Sequence, residues 1–322
     1  MIASQRKLVI AGLIGNVLEW YDFSVYGYFA VSIGHHFFPS ENPTTSLLAA
    51  FGVFAAGFLM RPVGAVLFGH IGDNWSRERA LSLSVLAMAV PTFLIGVIPD
   101  YQQIGVTASV LLVLLRLAQG ISVGGEYTTS IVFVVERSLP QRRGFMGTWC
   151  LFGTCAGTLL GSAIATLLTS VLPRDVMRAW GWRLPFILGL AIGIVGLYIR
   201  RDLERDAKSI EPERPGAIEA PRESFLGALK TQRLAILKVI GLKATSAVGF
   251  YTLFVYMTVY YTRIVQIPKS DALAINTIAL AAMLVMIPGA GALSDWVGRK
   301  PGQFRPRPRP DSAHATGTRS CG

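Results

Sequence analysis

Two acidic side chains lie three residues apart in an otherwise apolar stretch near the start of the chain. The segment Gly15-Asn16-Val17-Leu18-Glu19-Trp20-Tyr21-Asp22-Phe23 contains them, and Tyr26 follows Asp22 by four residues. On an α-helix, residues three or four apart share one face. Burial in apolar surroundings raises the pKa of a carboxyl group, whereas a nearby arginine lowers it. The segment therefore predicts a group that could bind and release a proton.

Basic side chains that could partner these acids occur in two other apolar stretches. Arg116-Leu117-Ala118-Gln119-Gly120 lies in one, with Glu126 further along, and Arg61-Pro62 lies in the other. If each stretch is a helix that rises about 1.5 Å per residue, Asp22 and Arg116 reach a similar depth near the middle of a membrane.

A charge at that depth costs about 2.5–3.5 kcal/mol, so each one needs a physical reason. For Asp22 and Arg116, one interpretation is a carboxylate–arginine group that couples protons or contacts a solute, and the other is a static ion pair that fixes helix packing. Arg61 either reaches the membrane surface and caps carbonyls freed by Pro62, or binds an anionic group of a solute. Lys243, in a later apolar stretch, could similarly reach the surface or line a cavity.

The stretches that position these residues are typical of an all-α integral membrane protein. Of the 322 residues, 52% are hydrophobic and only 15% are charged, whereas soluble domains carry about 25% charged residues. Apolar runs of about 18 residues or more are long enough to cross a bilayer as helices. The predicted spans are roughly 8–34, 46–70, 80–99, 104–135, 145–172, 184–199, 235–261 and 271–293.

The basic residues that give the net charge of +11 are distributed unequally between the two sides of the predicted membrane spans. If the N-terminus is cytoplasmic, 18 basic residues flank the spans on the cytoplasmic side and five flank them on the other side. This asymmetry is the positive-inside bias of membrane proteins. It predicts a multi-pass protein of a bacterial inner membrane with a cytoplasmic N-terminus, surrounded by lipid, and it argues against binding to nucleic acid.

A loop pattern occurs twice, each time after a long apolar run. Gly69-His70-Ile71-Gly72-Asp73-Asn74-Trp75-Ser76-Arg77 matches Gly291-Ala292-Leu293-Ser294-Asp295-Trp296-Val297-Gly298-Arg299 in its spacing of glycine, aspartate and arginine. Each copy is interpreted as a tight, charged turn. A repeated loop indicates two repeated helical bundles. The predicted organisation is a complete six-helix bundle over 1–200, a cytoplasmic linker over 201–234, the start of a second bundle over 235–301, and a disordered or out-of-frame tail over 302–322.

These motifs together resemble the major facilitator superfamily. The repeated loop resembles that family's signature between helices two and three and between helices eight and nine, and Arg116-x-x-Gln119-Gly120 is similar to a second family motif. Three further segments resemble the metabolite:proton symporters, whose members take up carboxylates, shikimate, betaine or proline. They are the Gly15–Phe23 segment, Arg61-Pro62-x-Gly64 leading to Phe68-Gly69-His70, and Trp180-Gly181-Trp182-Arg183-x-Pro185-Phe186.

The resemblance implies two groups of functional residues. A charge network that closes the cytoplasmic side would include Gly69, Asp73 and Arg77, with Asp295 and Arg299 as the counterpart. Ser76 stands where the family usually has glycine, and Glu78 stands where it usually has a base, and both could loosen this gate. The residues expected to form the proton-coupling and solute cavity are Glu19, Asp22, Tyr26, Arg61, Arg116, Gln119 and Glu126.

The expected function is proton-coupled import of a small organic solute, a carboxylate or a zwitterion such as proline or betaine, by a monomer. The family has twelve helices and eight are predicted here, so the chain is expected to be truncated and inactive by itself. The alternatives are a non-transporting solute sensor and one half of a split transporter. An enzyme is not expected, because no nucleophile, metal cluster or cofactor-binding loop accompanies the acids. No cofactor is expected other than the proton as coupling ion.

Overall fold

The described part of the chain is helical. The computed structural model describes residues 3–75, 77–136, 138–210, 227, 231–257, 260–261, 264–267 and 269–298. Within these ranges the backbone forms helices and turns and no strand, which confirms the predicted all-α class.

Most of the helices are long, and short ones connect them. In chain order they are α1 (Ala3–Tyr28), α2 (Ala30–Phe37), α3 (Pro43–Leu59), α4 (Arg61–Asn74), α5 (Arg77–Val97), α6 (Tyr101–Ile104), α7 (Val106–Glu136), α8 (Arg143–Val171), α9 (Arg174–Ala179), α10 (Leu184–Ile210), α11 (Arg233–Tyr251) and α12 (Lys269–Val297). A π-helical turn at Thr252–Tyr256 follows α11.

Six helical stretches of the described residues are long and apolar enough to cross a membrane. They are Pro43–Gly72, Val106–Gly124, Pro140–Val171, Gly181–Tyr198, Arg233–Phe254 and Ile275–Val297. The remaining two predicted spans, 8–34 and 80–99, are also helical, as α1 with α2 and as α5, although the apolar part of α5 is shorter. The chain is therefore a multi-pass membrane protein.

Glycines let the helices of the first bundle approach closely. On α8, a Cβ at Gly153 would lie 2.8 Å from the Leu13 carbonyl oxygen of α1, and one at Gly157 would overlap the Val17 carbonyl. On α7, a Cβ at Gly120 would overlap the Gly57 carbonyl of α3. These glycines bring α8 close to α1 and α7 close to α3.

Candidate functional site

The most buried charges in the described residues form one ion pair between α1 and α7. Arg116 Nη1 donates to Asp22 Oδ2 at 2.7 Å, and the two side chains are 1% and 0% exposed. Gln119 lies one turn after Arg116, where its Oε1 accepts from Arg116 Nη1 at 2.8 Å and its Nε2 donates to Asp22 Oδ1 at 2.9 Å. The sequence predicted that Asp22 and Arg116 share a depth, and the structure brings them into direct contact.

Thr92 of α5 is the fourth member of this group, and sequence reasoning missed it. Its Oγ1 lies 2.9 Å from Asp22 Oδ1 and 2.8 Å from the Met88 carbonyl oxygen, and it accepts from Gln119 Nε2 at 2.8 Å. The signal in the sequence was a lone hydroxyl beside Pro91 in an apolar run. We call Asp22, Thr92, Arg116 and Gln119 the buried tetrad.

Tyr26 covers the arginine of the tetrad. Arg116 Cζ lies 3.6 Å from the centre of the Tyr26 ring, while the Tyr26 hydroxyl donates to the Ala50 carbonyl oxygen at 2.9 Å. Arg116 Nε and Nη2 have no hydrogen-bond partner among the described residues. A cation over an aromatic face is stabilised by the ring quadrupole, so Tyr26 partly replaces the missing partners.

Four of the residues expected to form the proton-coupling and solute cavity are enclosed by helices of the first bundle. Asp22, Tyr26, Arg116 and Gln119 are at most 1% exposed, and they lie inside the first bundle between α1, α3, α5 and α7. The physical reason is that neighbouring helices supply partners for both carboxylate oxygens of Asp22 and a ring for Arg116. A buried charge that is paired and hydrogen-bonded in this way does not need water.

A second, looser ion pair joins α1 and α4. Arg61 Nη2 lies 3.4 Å from Glu19 Oε1, with Glu19 3% and Arg61 28% exposed at the side chain. The guanidinium also lies over the Phe58 ring at 4.1 Å and the Phe23 ring at 4.8 Å. The helix interruption at Met60, next to Pro62, positions Arg61 at the first residue of α4, because proline lacks an N–H and favours the start of a helix.

Polar residues and a small cavity lie next to Glu19. Asn16, one turn earlier on α1, donates to Ser130 Oγ of α7 at 2.9 Å. The cavity is lined by Gly15, Leu18, Glu19, Ser84, Val85, Met88, Ser122 and Val123. Glu19 therefore borders a small cavity.

The first bundle contacts α11 at two points. Lys243 Nζ donates to the Tyr127 hydroxyl of α7 at 3.3 Å and lies 4.6 Å from the centre of that ring. The Trp20 and Phe250 rings meet edge to face at 5.9 Å. We use "the crevice" for this region between α1, α7 and α11.

Asp295 joins the two halves of the chain at the end where α12 terminates. Its Oδ1 accepts from the backbone N–H of Gly144 and its Oδ2 accepts from that of Phe145, both at 2.7 Å. These are N–H groups of the first turn of α8, whose preceding residue provides no side-chain cap. A carboxylate there satisfies free donors and complements the helix dipole. The aspartate caps a helix of the other half.

Four of the predicted gate and cavity residues lie wholly or partly outside the described residues. They are Asp73, Arg77 and Glu126, whose side chains are not described, and Arg299. Gly69 lies within α4. Both copies of the motif begin as helix, so the predicted turns are shorter than the motif itself. The helix of the second copy, α12, ends at Val297, and Gly298 after it has a φ of +92°.

The chain is similar to several membrane transporters. It is 39% identical over 303 residues to the glycine betaine/proline/ectoine/pipecolic acid transporter OusA of Dickeya dadantii, covering 92% of this chain and 60% of the relative. It is 38% identical over 292 residues to the alpha-ketoglutarate permease of Escherichia coli, covering 91% of this chain and 66% of the relative. The chain thus spans about three fifths of the length of the first relative.

A solved structure shares the fold. The proton:xylose symporter XylE with bound 6-bromo-6-deoxy-D-glucose has a TM-score of 0.72 at 16% identity, over 93% of this chain and 71% of that chain. Residues 12–305 match the sequence profile of the Major Facilitator Superfamily. That superfamily and these relatives are transporters and not enzymes. The chain belongs to the Major Facilitator Superfamily.

Proposed function

We propose that this protein is a proton-coupled secondary transporter that brings a small organic solute across a bacterial inner membrane. Relatives named as proline/betaine transporters and as an alpha-ketoglutarate permease support the solute class. The excess of basic residues at one face supports a cytoplasmic N-terminus. The protein acts as a monomer, with the proton as its coupling ion.

The observation that carries the proposal is the contrast between Glu19 and the buried tetrad. Glu19 is an almost fully buried carboxylate that lies 3.4 Å from the partly exposed Arg61 and borders a cavity. Protonation of Glu19 would cancel its charge and weaken its ion pair with Arg61. The Arg61 guanidinium would then attract an anionic group of the solute more strongly, so proton and solute would be taken up together.

The contact between Asp295 and α8 provides the conformational part of the mechanism. It connects the two halves at one face through two charge-assisted hydrogen bonds. Transporters of this kind alternate access by rocking one bundle against the other around a midplane site. Loss of the two bonds would separate α12 from the start of α8 and open the crevice to the cytoplasm.

Uptake by proteoliposomes containing the 322-residue chain separates the proposed transport function from the expectation that a truncated chain is inactive by itself. An imposed pH gradient, acidic outside, should drive accumulation of labelled 2-oxoglutarate, proline or glycine betaine, and an uncoupler should abolish it. Glu19→Gln should abolish gradient-driven accumulation but leave exchange of solute across the membrane. Solute binding without gradient-driven uptake would overturn the proposal and favour a solute sensor or half of a split transporter.

A further inference from the structure

His36 lies between two acceptors at the end of the first bundle opposite to the Asp295 contact. Asp295 meets the start of α8, whereas α9, which follows the end of α8, meets His36 of α2. The His36 Nε2 atom lies 2.9 Å from the Arg178 carbonyl oxygen of α9, and Nδ1 lies 3.4 Å from Asp100 Oδ2. Asp100 directly precedes α6, so one imidazole connects α2, α6 and α9.

A neutral imidazole makes only one of these two contacts as a hydrogen bond. The neutral ring has one N–H donor and one nitrogen that only accepts. The Arg178 carbonyl only accepts, and so does the Asp100 carboxylate when it is ionised. Whichever nitrogen carries the proton, a neutral His36 turns a lone pair towards an acceptor. The imidazolium form, in contrast, donates to both.

A separate contact favours the ionised form of Asp100. This residue is the N-cap of α6, and its Oδ1 accepts from the Gln103 backbone N–H at 3.3 Å. An ionised carboxylate accepts such a bond more strongly than a neutral acid does. The proton between the two side chains therefore belongs to His36 and not to Asp100.

The indole of Trp182 also favours the charged form of His36. The two ring centres are 5.2 Å apart, and Trp182 is fully buried. A cation within about 6 Å of an aromatic face is attracted by the ring quadrupole. The His36 and Asp100 side chains are 14% and 19% exposed, so solvent reaches the pair, while its partial burial reduces screening by salt.

Two neighbouring groups disfavour a second positive charge here. Arg183, just before α10, lies over the Trp182 ring at 4.6 Å and interacts electrostatically with Asp100. The His35 ring centre lies 5.3 Å from that of His36. Neither α3 nor residues 106–115 of α7 contain a titratable side chain. The other titratable side chains on or next to the elements around α2 are Tyr28, Glu41, Tyr101, Arg174, Asp175 and Arg178.

We propose that His36 is a pH-sensitive clamp that joins α2 to α9 and to the start of α6 while it is protonated. Histidine normally changes its charge between pH 5 and pH 8. Loss of the proton breaks one of the two contacts, so the clamp stabilises the fold at low pH and weakens as the pH rises. The inference goes beyond the proposed transport function and does not require it. With the proposed cytoplasmic N-terminus, this end of the bundle faces the outside, and external acidity would strengthen the clamp.

The test is thermal unfolding of the full 322-residue chain in lipid nanodiscs at pH 5.5 and at pH 8. His36→Gln should lower the melting temperature by about 2 °C at pH 5.5, as expected for loss of one charge-assisted contact in a chain of this size, and by at most half as much at pH 8. His35→Gln changes the exposed neighbouring histidine; as the matched control, it should have the same effect at both pH values. Asp100→Asn keeps an N-cap residue before α6 but should lose the same pH-dependent part of the stability.

An equal loss in His36→Gln at both pH values would overturn the inference, because it would indicate a contact that does not depend on the proton. An unchanged melting temperature of His36→Gln at pH 5.5 would also overturn it, as would a pH-dependent effect of His36→Gln that persists in the Asp100→Asn background. If His36→Gln does not fold, Asp100→Asn alone decides, since its difference from the parent protein must shrink between pH 5.5 and pH 8. No solute or gradient is used, so failure of the clamp leaves the transport proposal standing.

Discussion

The first bundle contains two carboxylate–arginine pairs that differ in almost every physical respect. Asp22 and Arg116 are 2.7 Å apart, no more than 1% exposed, and enclosed by Thr92 and Gln119. Glu19 and Arg61 are 3.4 Å apart, and the Arg61 side chain is 28% exposed. The charged groups are of the same types, lie on neighbouring turns of α1 and have different surroundings.

This difference indicates which pair is a static ion pair that fixes helix packing and which is a group that couples protons or contacts a solute. In a fully buried pair, the carboxylate is held by several donors, and removing either partner leaves an uncompensated charge. A partly exposed pair exchanges one partner for another at much lower cost, because water and solute can replace the lost contact. We infer that the buried tetrad holds α1, α5 and α7 together, while Glu19 and Arg61 change partners during transport.

The largest expected effect comes from removing the acid of the buried tetrad. Asp22→Ala leaves the Arg116 charge buried without a counter-ion, so we expect a loss of about 3–5 kcal/mol in unfolding free energy. Unfolding of the purified protein in detergent measures this loss. The double variant Asp22→Ala/Arg116→Met should recover a large part of the stability, since it removes both charges. If Asp22→Ala were as stable as the parent protein, the proposed difference between the buried tetrad and the Glu19–Arg61 pair would be contradicted.

A smaller effect is expected from the hydroxyl of the tetrad. Thr92→Val keeps the side-chain shape but removes a group that lies within hydrogen-bond distance of Asp22, Met88 and Gln119. We expect a loss of about 1–3 kcal/mol, because buried polar groups lose a partner. Ser170→Ala is a matched control, since that hydroxyl is exposed and bonds only to its own helix. Equal melting temperatures for the two variants would contradict this role.

The end of α12 tests a contact between the halves. Asp295→Asn removes the charge that caps α8, and we expect about 1 kcal/mol less stability for this contact. Thr148 faces Gly291 of α12. When Asp295→Asn is combined with Thr148→Cys, the new thiol should react faster with a maleimide than it does in Thr148→Cys alone. The same cysteine with Asp295 intact provides the reference rate. No acceleration would mean that the cap does not hold the two halves together.

The sequence was informative about the helices and about which residues are unusual, but not about their surroundings. The length of the apolar runs predicted the all-α class. The rise per residue of an α-helix predicted that Asp22 and Arg116 lie at the same depth in the membrane. Whether they face a cavity or a core depends on the rotation of three helices, which the spacing along a single chain does not determine. Thr92 was missed for the same reason.

The aromatic anchor before α10 illustrates a second limit. Trp180-Gly181-Trp182-Arg183 is a pattern typical of a membrane interface, and Trp180 is indeed half exposed. Trp182, however, is fully buried and packs against His36, Phe37 and Phe186. The two tryptophans have the same chemistry, and only the tertiary fold assigns them to different environments.

The smallest effect on stability is expected at Glu19, where the effect on function should be large. Glu19→Gln removes the charge of the longer ion pair, whose arginine is partly exposed and stacked on Phe58, so we expect a smaller loss of stability than at Asp22. The neutral side chain mimics the protonated acid, so gradient-driven uptake should be lost in Glu19→Gln while the parent protein retains it. Asp22→Asn, measured in parallel, should destabilise the protein far more and keep gradient-driven uptake. A reversed result would assign proton coupling to the buried tetrad.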